Sequence, residues 1–168
     1  MIIMKKTLTT LDVLNIIAWN NSLTQEKLNA IPLKIRFALK KAIGHMMPDA
    51  KQFEEFRDEE LKKIQSDYID NGKTEEVVET IKDKDGNPIL DENGAERTQS
   101  AQKIKDEYTS EYQGKINELN KKLEEIVMEK TMYEYNGANI VEMVENLPDD
   151  TPLAFEDIDM LDALLSEE

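Results

Sequence analysis

Carboxylates are the side chains of this sequence that could most readily do chemistry. The 168 residues include 36 Asp and Glu, 21 Lys and Arg, and a single His. Pairs such as Glu54-Glu55 and Glu59-Glu60 could in principle serve a glycosidase or a two-metal hydrolase. Acid pairs at helical spacing among lysines usually form a solvated helix face instead. No pair stands out, so the sequence predicts no catalytic carboxylates.

Other catalytic side chains are scarce. His45 is the one histidine, which leaves little for a Ser-His-Asp triad or a His-based zinc site. Cys is absent, which excludes thiolate nucleophiles and Cys-based zinc sites. His45 follows Gly44 on a helical stripe, which favours a packing or helix-end role. The glycines stand singly, and no Gly-Lys-Ser/Thr phosphate loop occurs. We expect no enzymatic activity, no metal site and no cofactor.

One segment has the composition of a calcium loop. Asp83-Lys84-Asp85-Gly86-Asn87, followed by Asp91, places oxygen ligands at alternate positions. Pro88 stands where such a loop needs glycine, and Gly94 stands where it needs a bidentate glutamate. A hairpin turn is the favoured interpretation.

The C-terminal segment, residues 137–168, is strongly acidic, with ten carboxylates and no basic residue. Its acids could dock on a basic partner or imitate phosphate spacing in a nucleic-acid channel. A solubilising face is the simpler alternative, and the sequence favours it. The candidate partner-binding residues are Asp149, Asp150, Glu156, Asp157, Asp159 and Asp162.

The overall charge restricts the class of partner. A formal charge of -15 repels phosphate backbones and anionic lipid surfaces, so we expect neither direct nucleic-acid binding nor membrane binding. Residues 1–45 are the exception, with seven basic residues against two acidic ones. The two ends could attract each other in the fold, or each could face a different partner. The first residues do not resemble a signal peptide, and no apolar run is long enough to span a membrane.

Two long amphipathic patterns dominate the chain. The first follows Ile31-Pro32 and ends at Asn71-Gly72, and Pro48 within it should kink or split the helix near residues 44–47. The second runs from Ile104 to Ile126. A short helix after Thr9-Thr10 and an amphipathic helix from Phe155 to Leu165 complete the helical prediction. Two long helices separated by a short insert favour an antiparallel helical hairpin.

The insert, residues 73–99, has a different period. β-branched residues flank Asp85-Gly86 and Asn93-Gly94, which predicts a β-hairpin or flexible insert. Met132 to Tyr135 predicts a short strand before Asn136-Gly137. We therefore predict one domain, residues 1–168, of mainly α class. It would be a long antiparallel helical hairpin with a small β-hairpin insert and a compact helical base joining the termini.

This layout resembles an uncharacterised family of small acidic helical proteins of tailed bacteriophages and prophages. The likeness lies in Leu11 to Trp19, Ile31-Pro32-Leu33-Lys34, and Phe53-Glu54-Glu55-Phe56-Arg57. It continues in Lys82 to Pro88, in the second helix and in Thr151 to Leu161. Pro48 departs from the pattern. The resemblance implies a phage or prophage origin and supplies no catalytic residue.

A non-enzymatic bacteriophage protein is the predicted function, acting through protein–protein contacts in virion structure or assembly. The alternative is an acidic inhibitor of a host nucleic-acid enzyme or anti-phage defence complex. The partner would be a phage structural protein or a host protein, and self-association into a homo-oligomer is open. Either role would be carried out in the host cytoplasm or in the virion.

Overall fold

An antiparallel ribbon joins the N-terminal and C-terminal parts of the chain. The computed structural model describes residues 3–166. In it β1 (Ile3–Thr9) pairs with β4 (Lys130–Asn136), with Ile3 opposite Asn136 and Thr9 opposite Lys130. Side chains on β1 alternate, so Met4 is buried while its neighbours Ile3 and Lys5 are exposed.

Helix α1 (Thr10–Ser22) starts directly from the end of β1. Thr9 is its N-cap: the Asp12 amide donates to Thr9 Oγ1 (3.1 Å), and the Thr9 amide donates to Asp12 Oδ2 (2.8 Å). This reciprocal pair satisfies two amides that the first helical turn leaves free. The short helix α2 (Gln25–Ala30) follows, capped in turn by Thr24.

Two long helices carry the periodic segments of the sequence. Helix α3 (Leu33–Asp70) is continuous, with Pro48 inside it, so the predicted split near residues 44–47 does not occur. Helix α4 (Thr109–Val127) follows a single 3₁₀ turn at Asp106–Tyr108. The C-terminal segment contains α5 (Val141–Glu145) and α6 (Phe155–Leu165).

A second antiparallel ribbon lies between α3 and α4. Strands β2 (Thr74–Thr80) and β3 (Thr98–Ile104) pair with Thr74 opposite Ile104 and Thr80 opposite Thr98. Strand β3 therefore extends five residues beyond the predicted boundary at residue 99.

Two successive loops of the same design connect β2 to β3. In the first, Asp83 Oδ1 accepts from the amides two and four residues later, and in the second Asp91 Oδ1 does the same, at 2.8–3.0 Å. Gly86 and Gly94 take the positive φ angles, 84° and 78°, that each loop needs. The two loops are thus an eight-residue repeat in structure.

The loops meet the ribbon in a cycle of three backbone hydrogen bonds. The Ile81 amide donates to the Arg97 carbonyl, the Arg97 amide to the Ile89 carbonyl, and the Ile89 amide to the Ile81 carbonyl, each at 2.8 Å. Three hairpin-like arms, the β2–β3 ribbon and the two loops, meet at this junction. Each of the three junction residues contributes one donor and one acceptor.

The chain divides into two compact units. The terminal unit contains the chain up to residue 56 and from 123 onward, and the central unit contains residues 57–122. The main hydrophobic core belongs to the terminal unit, where Val13, Met46, Leu161 and Leu165 are almost fully buried. In the central unit Tyr68 has no exposed surface.

The predicted mainly α class is wrong. Residues 3–166 are 58% helical and 20% strand, with six α-helices and two small antiparallel sheets, so the fold is mixed α/β and not a single long hairpin. The base was predicted to be helical, but the β1–β4 ribbon is part of it. Strand β1 was not predicted because its alternation of apolar and polar residues is interrupted. Lys6 occupies the inward position between Met4 and Leu8.

None of the helices within residues 3–166 combines the length and the apolar character that a bilayer span requires.

Candidate functional site

Helix α6 exposes a row of acids that begins beside an aromatic ring. Glu156, Asp159 and Asp162 are exposed, and they follow one another at three-residue spacing along one side of the helix. Phe155, the first residue of α6, lies at the start of this row and is 84% exposed. Aromatic side chains are enriched at protein–protein interfaces, so an exposed ring beside these charges is a candidate contact point. We name Phe155, Glu156, Asp159 and Asp162 the acidic face.

Asp157 belongs to the opposite side of α6 and is only 4% exposed. It accepts from Lys27 Nζ (2.7 Å), from the Ala154 amide (2.9 Å) and from Trp19 Nε1 (3.0 Å). Burial would raise the pKa of Asp157, but these hydrogen bonds outweigh that effect and hold it below the ordinary aspartate value. This buried carboxylate is an internal anchor for α1, α2 and α6.

The remaining two predicted acids lie outside any helix. Asp149 and Asp150 are exposed in the turn that follows Pro148, five residues before α6 begins. Of the six acids predicted for partner binding, the structure therefore brings Glu156, Asp159 and Asp162 onto one helix face, with Asp149 and Asp150 in the preceding loop.

Helix α3 carries a face of the opposite charge in the same unit. Leu33 and Phe37 are 75% and 60% exposed, and Lys34, Lys40 and Lys41 are exposed beside them. Lys41 Nζ lies 4.7 Å from the centroid of the Phe37 ring, within cation–π range. Residues 33–45 include four Lys or Arg and no acid. We name Leu33, Lys34, Phe37, Lys40 and Lys41 the basic face.

The two charged ends of the sequence meet only in part. Lys27 binds Asp157, whereas Lys5 Nζ lies 3.3 Å from Glu134 of β4, outside the acidic segment 137–168. Within residues 3–166, the lysines of the basic face form no ion pair, and neither do the acids of the acidic face. Both faces therefore present charge that the fold does not neutralise.

No family model, no curated protein and no solved structure matches this chain. Function is therefore inferred from its own residues.

Two carboxylates line a groove of about 380 Å³ in the terminal unit. Its lining includes Asp49 and Glu129 beside the rings of Phe53 and Phe56. Asp49 Oδ2 accepts from Tyr133 Oη at 2.5 Å. Burial and the neighbouring Asp49 raise the pKa of Tyr133 to about 12, so the phenol stays protonated at neutral pH. The pair is a fixed hydrogen bond and is not poised for proton transfer.

A second polar cluster lies in the central unit. Tyr68 Oη and Lys73 Nζ both donate to Glu111 Oε1, at 2.9 and 3.0 Å, and Tyr112 packs edge-on against the Tyr68 ring. Burial, then the bond to Glu111, raises the pKa of Tyr68 to about 12. The bonds from Lys73 and Tyr68 lower the pKa of Glu111. Both groups thus keep their neutral-pH states, and the cluster fastens β2 to the ends of α3 and α4.

The segment with a calcium-loop composition forms turns. Asp83 uses Oδ1 to accept from backbone amides, and these bonds lower its pKa. No group of three or more His, Cys, Asp or Glu that could hold a metal ion was found among residues 3–166.

The basic face was missed by the sequence reasoning, although a signal was present. Leu33, Phe37, Lys41 and His45 recur at four-residue spacing, as do the buried Ile35, Leu39 and Ile43 on the other side of α3. The pattern of buried residues was recognised and the exposed one was not. His45 lies beyond Lys41 on the same side and stacks on Tyr135, with ring centroids 6.4 Å apart.

Proposed function

We propose that this protein is a non-enzymatic bacteriophage protein that acts through protein–protein contacts in virion structure or assembly. The observation that carries the proposal is the acidic face, where a largely exposed Phe155 stands at the start of a row formed by Glu156, Asp159 and Asp162. Aromatic residues that become buried in an interface contribute strongly to binding, while surrounding charges select the partner and the orientation. The phage origin is supported by the resemblance of the sequence layout described above.

A second candidate function is inhibition of a host nucleic-acid enzyme or defence complex. The observation that favours it is the same row of acids, because carboxylates one helical turn apart are suited to a basic cleft. In either role the protein would act in the host cytoplasm. As a virion component it would also be present in the particle.

Affinity capture from cells that produce the phage or prophage tests the proposal. The bait is the protein with an N-terminal tag, and bound proteins are identified by mass spectrometry, with purified particles analysed in parallel. We expect recovery of capsid, neck or tail proteins. A bait with Glu156→Lys, Asp159→Lys and Asp162→Lys should lose them.

A matched control separates the acidic face from net charge. Glu59→Lys, Glu118→Lys and Glu124→Lys change the charge equally at exposed positions on α3 and α4. This bait should retain the phage proteins. Equal loss from both baits would refute a specific role for the acidic face, and recovery of a host nuclease or defence protein would support the second candidate.

A further inference from the structure

We propose that the acidic face of one molecule binds the basic face of a second copy of the same chain. The inference rests on the proposed protein-binding function and names the partner. Its two surfaces lie in the same compact unit, on α6 and on α3.

Apolar exposure is the first support. Each face exposes a phenylalanine ring to water, Phe155 on the acidic face and Phe37 on the basic face, and the basic face also exposes Leu33. Burying aromatic and aliphatic surface is the main favourable term in association. The rest of α6 and of residues 33–46 of α3 already buries its apolar side in the core. Leu33, Phe37 and Phe155 are therefore the large apolar side chains of these two segments that remain mostly exposed.

Charge selects which face meets which. The basic face has three lysines without an acid, and the acidic face has three carboxylates without a base. Two basic faces repel each other, and so do two acidic faces, whereas the mixed pair attracts.

Helical spacing allows ring and charge to pair together. Phe37 precedes Lys41 by four residues, and Phe155 precedes Asp159 by four residues. Each step is about 6 Å along its helix axis. A parallel pairing of the two helices that stacks Phe37 on Phe155 therefore also brings the Lys41 ammonium to the Asp159 carboxylate.

The flank of the basic face offers a further donor. Arg36 Nε is buried and has no hydrogen-bond partner among the described residues. It lines a groove of about 250 Å³ together with Asn20, Leu28 and Lys40. The Arg36 guanidinium beside Lys40 adds positive charge to the flank that an incoming carboxylate meets.

Sedimentation velocity of the purified full chain from about 1 to 200 μM tests self-association. We expect the sedimentation coefficient to rise with concentration at low ionic strength and to rise less in 0.5 M NaCl, because salt screens exposed charges. A single concentration-independent monomer would overturn the proposal.

Charge reversal then identifies the surfaces. Lys41→Glu alone and Asp159→Lys alone should each sediment as a monomer, since each places like charges together. Mixing the two variants should restore association, because the intact acidic face of the Lys41→Glu protein meets the intact basic face of the Asp159→Lys protein. The double variant should also regain association through the swapped pair.

The mixture separates a lost contact from a lost fold. Variants that merely unfold would not recover on mixing, and thermal melts followed by circular dichroism check each protein first. Single variants that associate as tightly as wild type, or folded variants whose mixture stays monomeric, would overturn the assignment. A monomeric wild type that still captures phage proteins would refute self-association alone. A self-associating protein that captures none would refute the proposed function.

Discussion

Asp157 connects three helices of the terminal unit through one carboxylate. Trp19 and Lys27 both donate to it, and it caps the backbone of α6 at Ala154. Replacing it with Asn removes the charge that balances Lys27, whose side chain is 29% exposed. We expect Asp157→Asn to lower the free energy of unfolding by about 2–3 kcal/mol at pH 7. Asp159→Asn, at an exposed position of the same helix, should change it by less than about 0.5 kcal/mol.

The pH dependence of this effect has a definite sign. The pKa of Asp157 is lower in the folded protein than the ordinary value near 3.9 expected for the unfolded chain. Its stabilisation is therefore fully present above about pH 4 and is lost as pH falls through the lower folded pKa. Urea unfolding of wild type and Asp157→Asn should give a large difference at pH 7 and a smaller one at pH 3. A difference that grows on acidification would contradict the assigned anchor.

Gly137 is required by close packing and not by a turn. A Cβ at this position would lie 2.5 Å from the Leu165 carbonyl oxygen and 2.5 Å from Met4 Cγ. The Ala138 amide donates to the same carbonyl at 3.0 Å, so the backbone cannot easily move away. We expect Gly137→Ala to destabilise the protein by about 1–3 kcal/mol in chemical unfolding.

Gly44 is the matched control for that substitution. It lies inside α3, and a Cβ added there would have nothing within 4 Å beyond its own helical turn. Gly44→Ala should be neutral or stabilise by up to about 1 kcal/mol, because alanine has the higher helix propensity. Equal losses at both glycines would rule out the steric explanation for Gly137.

Residue roles were predictable where they follow a helical pattern. Leu161 and Leu164 were recognised as apolar positions, yet Asp157 precedes them by four and seven residues and so shares their buried side. Placement of an acid on an apolar stripe was the available signal that it is buried. Its partners Trp19 and Lys27 lie more than 100 residues away, and no local pattern could have named them.

Pro48 is the main irregularity at the level of elements. A proline inside a helix has no amide to donate to the carbonyl four residues earlier, here Gly44. We expect Pro48→Ala to raise the free energy of unfolding by up to about 3 kcal/mol, as measured by urea unfolding with far-UV circular dichroism. Pro32→Ala, just before α3 begins, should have little effect. A destabilised Pro48→Ala protein would mean that the local helix geometry at Pro48 contributes to core packing.

The long helices were predictable as elements because charged residues separate apolar ones at three-and-four spacing. The predicted element boundaries were wrong where a helical period and a strand period overlap in the sequence. Ile104 precedes Tyr108 by four residues and fits the helix, but it is the last residue of β3, opposite Thr74. Helix α2 is only six residues long, too short to establish a period.

At the scale of the whole molecule, the terminal unit is assembled from distant parts of the chain. Pairing of β1 with β4 joins residues 3–9 to residues 130–136, and Tyr135 Oη donates to the Leu164 carbonyl in α6. Local patterns predict strands and helices but not which strands pair across such separations. The composition shows that the two ends of the chain carry opposite charge. The two faces could be defined only from the structure, which shows which charged side chains are exposed and which form ion pairs.

The double loop between β2 and β3 has a consequence for how this region can vary in length. The first loop runs from Ile81 to Ile89, and the second runs from Ile89 to Arg97. The three junction residues therefore stand eight positions apart. Deleting residues 89–96 would place Arg97 where Ile89 now follows the first loop, leaving one ordinary hairpin with the strand register unchanged. Inserting another eight-residue copy would add an arm to the junction. We therefore expect this segment to accept changes of length in steps of eight residues, with the pairing of β2 and β3 unchanged.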